Sequence, residues 1–318
     1  MAGRIAIVLN AGSGGHAPPD PEALRHPFAA RGLAADVFHC EAGGSLDDAL
    51  RAALDAQPAA LVAAGGDGTV NAVAAAALEH DLPLGVLPSG TLNHFARDLD
   101  LPGDVDAAAD AIADALAAGR ERRVDVATAN GRLFLNNASL GLYATMVVDR
   151  ERQQRRLHRG KWSALLRATL AALRDPHAFE IAIEADGQRL RRKTPFVFVG
   201  NNDYVVQGPD AGTRASLDDG LLSVYVLHPR TAAGLLWLAL RTLLRGVAGA
   251  RDLDAFATRS LEVRARTGRL PFACDGEAGE IEPPVRFEVR PRALRVLAPE
   301  PGSEPAPGHD ARGGGATG

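Results

Sequence analysis

Five residues constrain this chain more than any others. Gly65-Gly66-Asp67-Gly68-Thr69 lies between the apolar run Ala60–Ala64 and the alanine-rich stretch Asn71–Glu79. An Asp-Gly pair alone reads as a hairpin turn. Here the stretch that follows is helical in composition, so the context is strand–loop–helix. Glycines let the backbone approach a phosphate closely, and the helix N-terminus behind them favours an anion. In such a loop Asp67 would orient a metal ion or the nucleotide, and Thr69 would donate its hydroxyl. Two more loops share the context. Asn10-Ala11-Gly12-Ser13-Gly14-Gly15 follows the strand-like run Arg4–Asn10, and Pro88-Ser89-Gly90-Thr91-Leu92-Asn93 follows Leu84–Leu87. Each is weak alone. Together they place three glycine loops at the same end of a parallel sheet, where open α/β folds bind ligands.

The intervening segments fit that frame. Ala35–Cys40 reads as a strand. Pro21–Arg31 reads as a helix interrupted by Pro27, Leu46–Leu54 as a helix capped by Ser45, and Asp104–Ala118 as a clear helix, with another starting at Asn93–Asp98. Alternating strands and helices imply an α/β nucleotide-binding domain over residues 1–120, built on a doubly wound parallel sheet. After about Gly119 strands come in pairs. Asn130-Gly131 and Asp186-Gly187 mark hairpins, and further strands are expected at Phe196–Gly200, Leu221–Leu227, Ser260–Ala265, Leu270–Cys274 and Val285–Val289. Residues 121–297 are therefore expected to form a mainly antiparallel β-sandwich domain with helical insertions at Trp162–Arg174 and Thr231–Ala248. The Pro- and Gly-rich segment 298–318 is expected to be disordered.

Bulk properties narrow the partners. The formal net charge of −4 over 318 residues gives no global basicity, so nucleic acid is not an expected partner. Basic side chains cluster locally at Arg150, Arg152, Arg155, Arg156, Arg159 and Lys161, and again at Arg189, Arg191, Arg192 and Lys193. Such clusters are what an anionic membrane surface feels, although a solvated helix face reads the same way. Two isolated cysteines, Cys40 and Cys274, make no disulfide framework and fit a reducing cytoplasm. No signal-like leader opens the sequence, and its most apolar stretch, Ala232–Ala250, is broken by Arg241 and Arg245. A two-fold homodimer is the default assembly.

Two late motifs carry acids. Cys274-Asp275-Gly276-Glu277 and Ser216-Leu217-Asp218-Asp219-Gly220-Leu221 both read first as turns. In the second, adjacent acids and backbone carbonyls are also the donors a hard cation takes.

GGDGT at 65–69, the loop at 10–15, GTLNHFARDL at 90–99, DDGLL at 218–222 and DGE at 275–277 occur in the order of the diacylglycerol kinase catalytic-domain family. The chain resembles its bacterial soluble lipid kinases, relatives of sphingosine and ceramide kinases, over roughly residues 3–297. GGDGT also occurs in NAD kinases, and the other motifs tip the resemblance to lipid kinase. The resemblance implies two domains with ATP in the cleft, and a cytoplasmic enzyme peripheral at the inner membrane face that phosphorylates a membrane lipid hydroxyl. It places nucleotide contacts on Gly65, Gly66, Asp67, Gly68, Thr69 and Asn71, with Thr91, Asn10 and Cys40 nearby. It makes Asp275 the proton acceptor, with Glu277 and Asp67 supporting the site. A magnesium site falls on Asp219 with carbonyls near Ser216 and Leu221. Three positions depart from many relatives: Ala11 stands for proline, Cys40 for a hydroxyl, and His94 for an acid.

Overall fold

The computed structural model describes residues 4–11, 19–41, 43–90, 93–141, 178–204, 214, 216–227, 253–266 and 268–300. Both expected helical insertions, the basic stretch 150–161, Gly12–Gly15, Thr91 and residues 301–318 lie outside the described residues. The chain divides into two compact units, Met1–Arg122 with Arg295–Gly318, and Arg123–Leu294.

In the first unit, β1 (Ile5–Asn10), β2 (Ala35–Cys40), β3 (Ala60–Gly65) and β4 (Leu84–Pro88) form a parallel sheet in the order β2-β1-β3-β4. Nearly every residue of β1, β3 and β4 is buried, as parallel strands covered on both faces require. β2 and β3 flank β1 on opposite sides, so the strand order reverses at the carboxyl ends of β1 and β3. That is the switch point where such sheets open a crevice.

Helices α1 (Pro21–Ala29), α2 (Leu46–Asp55), α3 (Asp67–Glu79), α4 (His94–Asp98) and α5 (Val105–Ala117) complete the unit. Ser45 Oγ accepts from Asp48 N at 3.2 Å and Asp104 Oδ1 from Ala107 N at 3.0 Å, capping α2 and α5. α1 runs on through Pro27 instead of breaking there. Pro27 lies in its last turn, buried beside Leu24 and Phe28, and its carbonyl accepts from the Arg31 guanidinium at 2.8 Å. Packing of the apolar face outweighs the lost backbone bond. Gly85 lets α5 close on the sheet, because a Cβ there would stand 2.8 Å from Ile112 Cγ2 and 3.2 Å from Val62 Cγ2.

The chain returns to this unit at the end of β16 (Val285–Val296), where Val296 pairs in parallel with Leu84 of β4. Arg295 fastens the return with bonds to Glu121 at 2.7 and 2.9 Å. Leu297 N donates to Leu84 O at 2.8 Å, and Leu297 and Ala298 are buried.

The second unit is antiparallel. β5 (Arg122–Ala129), β6 (Arg132–Phe134), β7 (Asn137–Gly141), β8 (Phe179–Ala185), β9 (Gln188–Thr194), β10 (Phe196–Asn201), β11 (Leu222–Leu227), β12 (Leu253–Thr258), β13 (Ser260–Ala265), β14 (Leu270–Cys274) and β15 (Glu277–Ile281) precede β16. One layer runs β16-β13-β8-β9 with the β5–β6 hairpin beside β16. The other runs β12-β11-β10-β7-β14-β15. Phe287, Val263 and Ile183 of the first meet Leu140, Val197, Val224 and Phe272 of the second in one buried cluster. The hairpins at Asn130-Gly131 and Asp186-Gly187 form with positive φ at all four residues. β16 continues past Val289, the end expected from sequence, through Pro291 and through Arg292 at φ 49°.

Gly85→Val is expected to destabilise the protein by about 1–3 kcal/mol through overpacking against Ile112, measured as a shift in urea midpoint. An unchanged midpoint would mean that α5 does not sit tightly on β4.

Candidate functional site

The first unit assembles its candidate site at the switch point. Asn10, the last residue of β1, donates from Nδ2 to Thr69 Oγ1 at 3.0 Å. Gly65 ends β3 and Gly66 is the N-cap of α3, so the loop expected over Gly65–Thr69 is shorter than read. Asp67, Gly68 and Thr69 are already helix. Only glycine fits at 65, because a Cβ would stand 2.6 Å from Thr69 Oγ1.

Gly90 packs against this turn, since a Cβ there would stand 2.7 Å from Gly66 Cα. Asn93, at φ 48°, holds Gly90 in place. It donates to the carbonyls of Pro88 and Gly90 at 3.0 and 2.9 Å and accepts from Gly90 N at 2.9 Å.

Val70 N bonds Gly66 O at 3.0 Å, and no side chain caps Gly66. The earlier amides of α3 have no acceptor within the helix. They face the position where an anionic ligand is best held. Asp67 sits among them, and burial pushes its carboxyl above the usual carboxylate range while the nearby His94 ring acts in the opposite direction. Cys40 is buried and lies in register with Asn10, its thiol donating to Glu41 O at 3.6 Å. Asn71 follows in the next turn of α3.

The second unit gathers the late motifs. Asp275-Gly276 is indeed a hairpin turn, joining β14 to β15 at φ 45° and 82°. Unlike the turns at Asn130 and Asp186, it aims its carboxylate inward, and Asp275 is only 6% exposed. Three consecutive amides meet it. Oδ2 accepts from Leu135 N at 2.6 Å, and Oδ1 accepts from Asn136 N at 2.9 Å and Asn137 N at 3.0 Å. With about four acceptor directions on a carboxylate, one on Oδ2 remains. Burial drives the Asp275 carboxyl above the usual carboxylate range, and the three amides and Arg214 offset part of that rise. Burial likewise pushes the Cys274 thiol far above its usual value. Glu277 does not join this site: it is exposed and bonds to Arg132 at 2.6 Å.

Sequence reasoning missed the frame around these motifs. Asp125, 1% exposed, accepts from Gly220 N at 2.6 Å and Arg292 N at 2.7 Å, while its own N–H donates to Leu217 O at 2.7 Å. Asn201 Nδ2 ties Asp125 O to Leu135 O, both at 3.0 Å. Asn202 Oδ1 accepts from Asp219 N at 3.2 Å, and Asn202 N donates to Leu221 O at 2.9 Å. Arg214 bonds Leu135 O at 2.6 Å and Asn136 Oδ1 at 3.0 Å, and Tyr204 donates to Asn136 O at 2.9 Å. The available signal was polar side chains ending apolar strands, as in Phe196–Asn202.

Ser216 and Asp218 are bonded to each other, and Asp218 to Arg292 at 2.7 Å. Asp219 is left with an exposed carboxylate. Among the described residues no group of three or more His, Cys, Asp or Glu side chains could hold a metal ion. Residues 216–221 offer the Asp219 carboxylate and backbone carbonyls, oxygen donors of the kind a hard cation takes.

This combination of a phosphate-type turn in an α/β unit and a buried acid in a β-sandwich unit agrees with comparison to known proteins. The diacylglycerol kinase catalytic domain model matches residues 4–129, and the YegS C-terminal NAD kinase beta sandwich-like domain model matches residues 137–298. A Pseudomonas aeruginosa protein named "probable lipid kinase YegS-like" is 35% identical, covering 78% of this chain and 79% of that one. A Bacillus subtilis diacylglycerol kinase is 28% identical, over 77% and 79%. The crystal structure of a diacylglycerol kinase from Bacillus anthracis shares the fold, with a TM-score of 0.65, 20% identity and coverage of 94% and 97%. The chain belongs to the diacylglycerol kinase catalytic-domain family. Among the described residues no helix is long and apolar enough to cross a membrane.

Asp275→Asn places a carboxamide NH₂ against Leu135 N–H. The expected result is a stability loss of about 1–3 kcal/mol, read from urea unfolding with folded content checked by circular dichroism. Unchanged stability would contradict the bonding of Asp275.

Proposed function

We propose that the protein is an ATP-dependent lipid kinase that transfers the γ-phosphate to a hydroxyl of diacylglycerol or a related membrane lipid. The observation that carries the reading is the glycine turn at the switch point, held by the Asn10–Thr69 bond and opening the uncapped amides of α3. Those amides, with Asn10, Cys40 and Asn71, and with the Thr91 that the resemblance implies, would hold the nucleotide phosphates. Phosphoryl transfer needs positioning and charge neutralisation more than covalent chemistry. A magnesium ion would supply positive charge at the phosphates, with Asp67 orienting it. The oxygen donors of Ser216, Asp219 and Leu221 fit a second, structural ion.

Asp275 would take the proton from the lipid hydroxyl as its oxygen attacks phosphorus and the bond to ADP breaks. Its remaining Oδ2 acceptor direction supports this role, and its raised pKa keeps it a usable base. Glu277 would act at most indirectly, through Arg132. The lipid would be reached at an anionic surface from the cytoplasmic side. On β9, Arg189 and Arg192 are paired with Glu184 and Asp254, whereas Arg191 and Lys193 are exposed and could meet headgroups.

The test is radiolabelled ATP with a total bacterial lipid extract, comparing wild type and Asp275→Asn at equal folded content. The expected result is a labelled lipid with wild type and a loss of about 10²–10⁴-fold in the variant. Because the base must be ionised, wild-type kcat/KM falls as pH is lowered through the raised pKa of Asp275, above the usual carboxylate range. No labelled lipid, with NAD phosphorylated in a parallel reaction, would replace the reading with a small-molecule kinase. Binding of ATP with no acceptor at all would favour a non-catalytic regulator.

A further inference from the structure

Two of the three amides that hold Asp275 belong to peptide groups whose carbonyls are held as well. Leu135 O and Asn136 N share one planar peptide group. Arg214 Nη1 donates to that oxygen at 2.6 Å and Asn201 Nδ2 at 3.0 Å, while the N–H on its far side donates to Asp275 Oδ1 at 2.9 Å. Asn136 O and Asn137 N share the next peptide group. The Tyr204 hydroxyl and Asn201 N each donate to that oxygen at 2.9 Å, and Asn137 N donates to Oδ1 at 3.0 Å. Both chains of bonds end on Oδ1. Oδ2 takes its bond from a third peptide group, through Leu135 N at 2.6 Å.

Arg214 brings a charge to this arrangement. Its Nη2 donates to Asn136 Oδ1 at 3.0 Å, so the guanidinium grips a backbone carbonyl and the next residue's side chain together. Hydrogen bonds in series polarise one another where water is excluded. A guanidinium on the Leu135 carbonyl therefore makes the Asn136 N–H a stronger donor to Oδ1. Burial raises the Asp275 carboxyl, and the three amides and the Arg214 charge act against that rise. The other titratable group facing Asp275 is the Cys274 thiol, which burial keeps protonated; Arg132 and Glu277 lie beyond it and pair with each other.

We propose that Arg214 is a positioning residue of the base: acting through the peptide group between Leu135 and Asn136, with Tyr204 acting likewise through the next one, it commits Oδ1 of Asp275 to the backbone, keeps the carboxylate ionised and leaves Oδ2 to receive the proton. The inference rests on the reading of Asp275 as proton acceptor, and it adds the residues that select which oxygen serves.

The experiment uses the full chain with Arg214→Gln, Arg214→Lys and Tyr204→Phe, each compared at equal folded content. Two quantities are read. One is apparent kcat/KM on the lipid extract across pH. The other is the titration of the Asp275 carboxyl by carbon-13 NMR of aspartate-labelled protein, its signal identified by its loss in Asp275→Asn. Arg214→Gln removes the charge, so the carboxyl is expected to titrate about one pH unit higher. The acid limb of kcat/KM moves up with it, which makes the loss about tenfold below the limb and lets it fade as pH rises. Arg214→Lys keeps the charge and restores the limb. Tyr204→Phe keeps the edge-to-face contact with Phe198 at 5.6 Å and moves the limb in the same direction by less. In an Asp275→Asn background, Arg214→Gln has little further effect on turnover.

A loss equal at every pH, or an Asp275 carboxyl that titrates unchanged in Arg214→Gln, would reduce Arg214 to a structural residue and overturn the proposal with the kinase reading intact. A wild type that labels no lipid would overturn that reading, and the carboxyl titration, which needs no substrate, still decides whether Arg214 governs Asp275.

Discussion

Asp275 can be buried only because three successive backbone N–H groups converge on it, and much of the second unit is arranged to make them converge. An ionised carboxylate removed from water costs several kcal/mol unless donors replace the lost hydration. The chain between β6 and β7 supplies them by leaving strand geometry at Leu135–Asn136 and turning its amides one way. That irregular backbone has its own carbonyls to satisfy. Arg214, Tyr204 and Asn201 bond to them, two of these from the end of β10 and the residues just after it. Asp125 repeats the solution a short way along the same framework, gathering Gly220 and Arg292 and so setting the loop that carries Asp219. Two buried acids thus organise the loops that a lipid kinase of this family would use.

The first unit follows a different logic, in which absence of side chains does the shaping. Gly65, Gly66 and Gly90 allow two strand ends to touch backbone to backbone, and Thr69 fills the space that a Cβ at 65 would occupy. The Asn10–Thr69 bond then fixes the first turn of α3 to the end of β1 across the point where strand order reverses. A helix start with unsatisfied amides is costly to leave bare and well matched to phosphate oxygens.

Much of this was legible because glycine loops and apolar runs obey local rules. The order of α/β elements, the Ser45 cap and the Asn130 and Asp186 hairpins follow from short-range chemistry, and the structure contains them. What local rules could not supply was direction. Asn130-Gly131, Asp186-Gly187 and Asp275-Gly276 turn with the same positive φ values, yet only Asp275 is buried, because there three consecutive amides of a segment more than a hundred residues away converge on the side chain, whereas Asn130 takes a single distant amide, that of Arg286, at the surface. The role of Asp125 was hidden for the same reason: its partners come from residues 217–220 and 292. Glu277 looked like its motif neighbour, but at the start of the edge strand β15 it is exposed and bonds to Arg132 instead. β16 ran past its expected end because a proline usually stops a strand, whereas here the chain bends at Arg292 and reaches β4.

The most direct test of the central claim is a backbone amide NMR titration with magnesium–ATP. The account predicts that the largest shifts fall on Asp67, Gly68 and Thr69, with Gly66 and Gly90 next, and saturate with a single binding constant. Unchanged amides in the first turn of α3 at saturating ATP, or shifts confined to other segments, would contradict it.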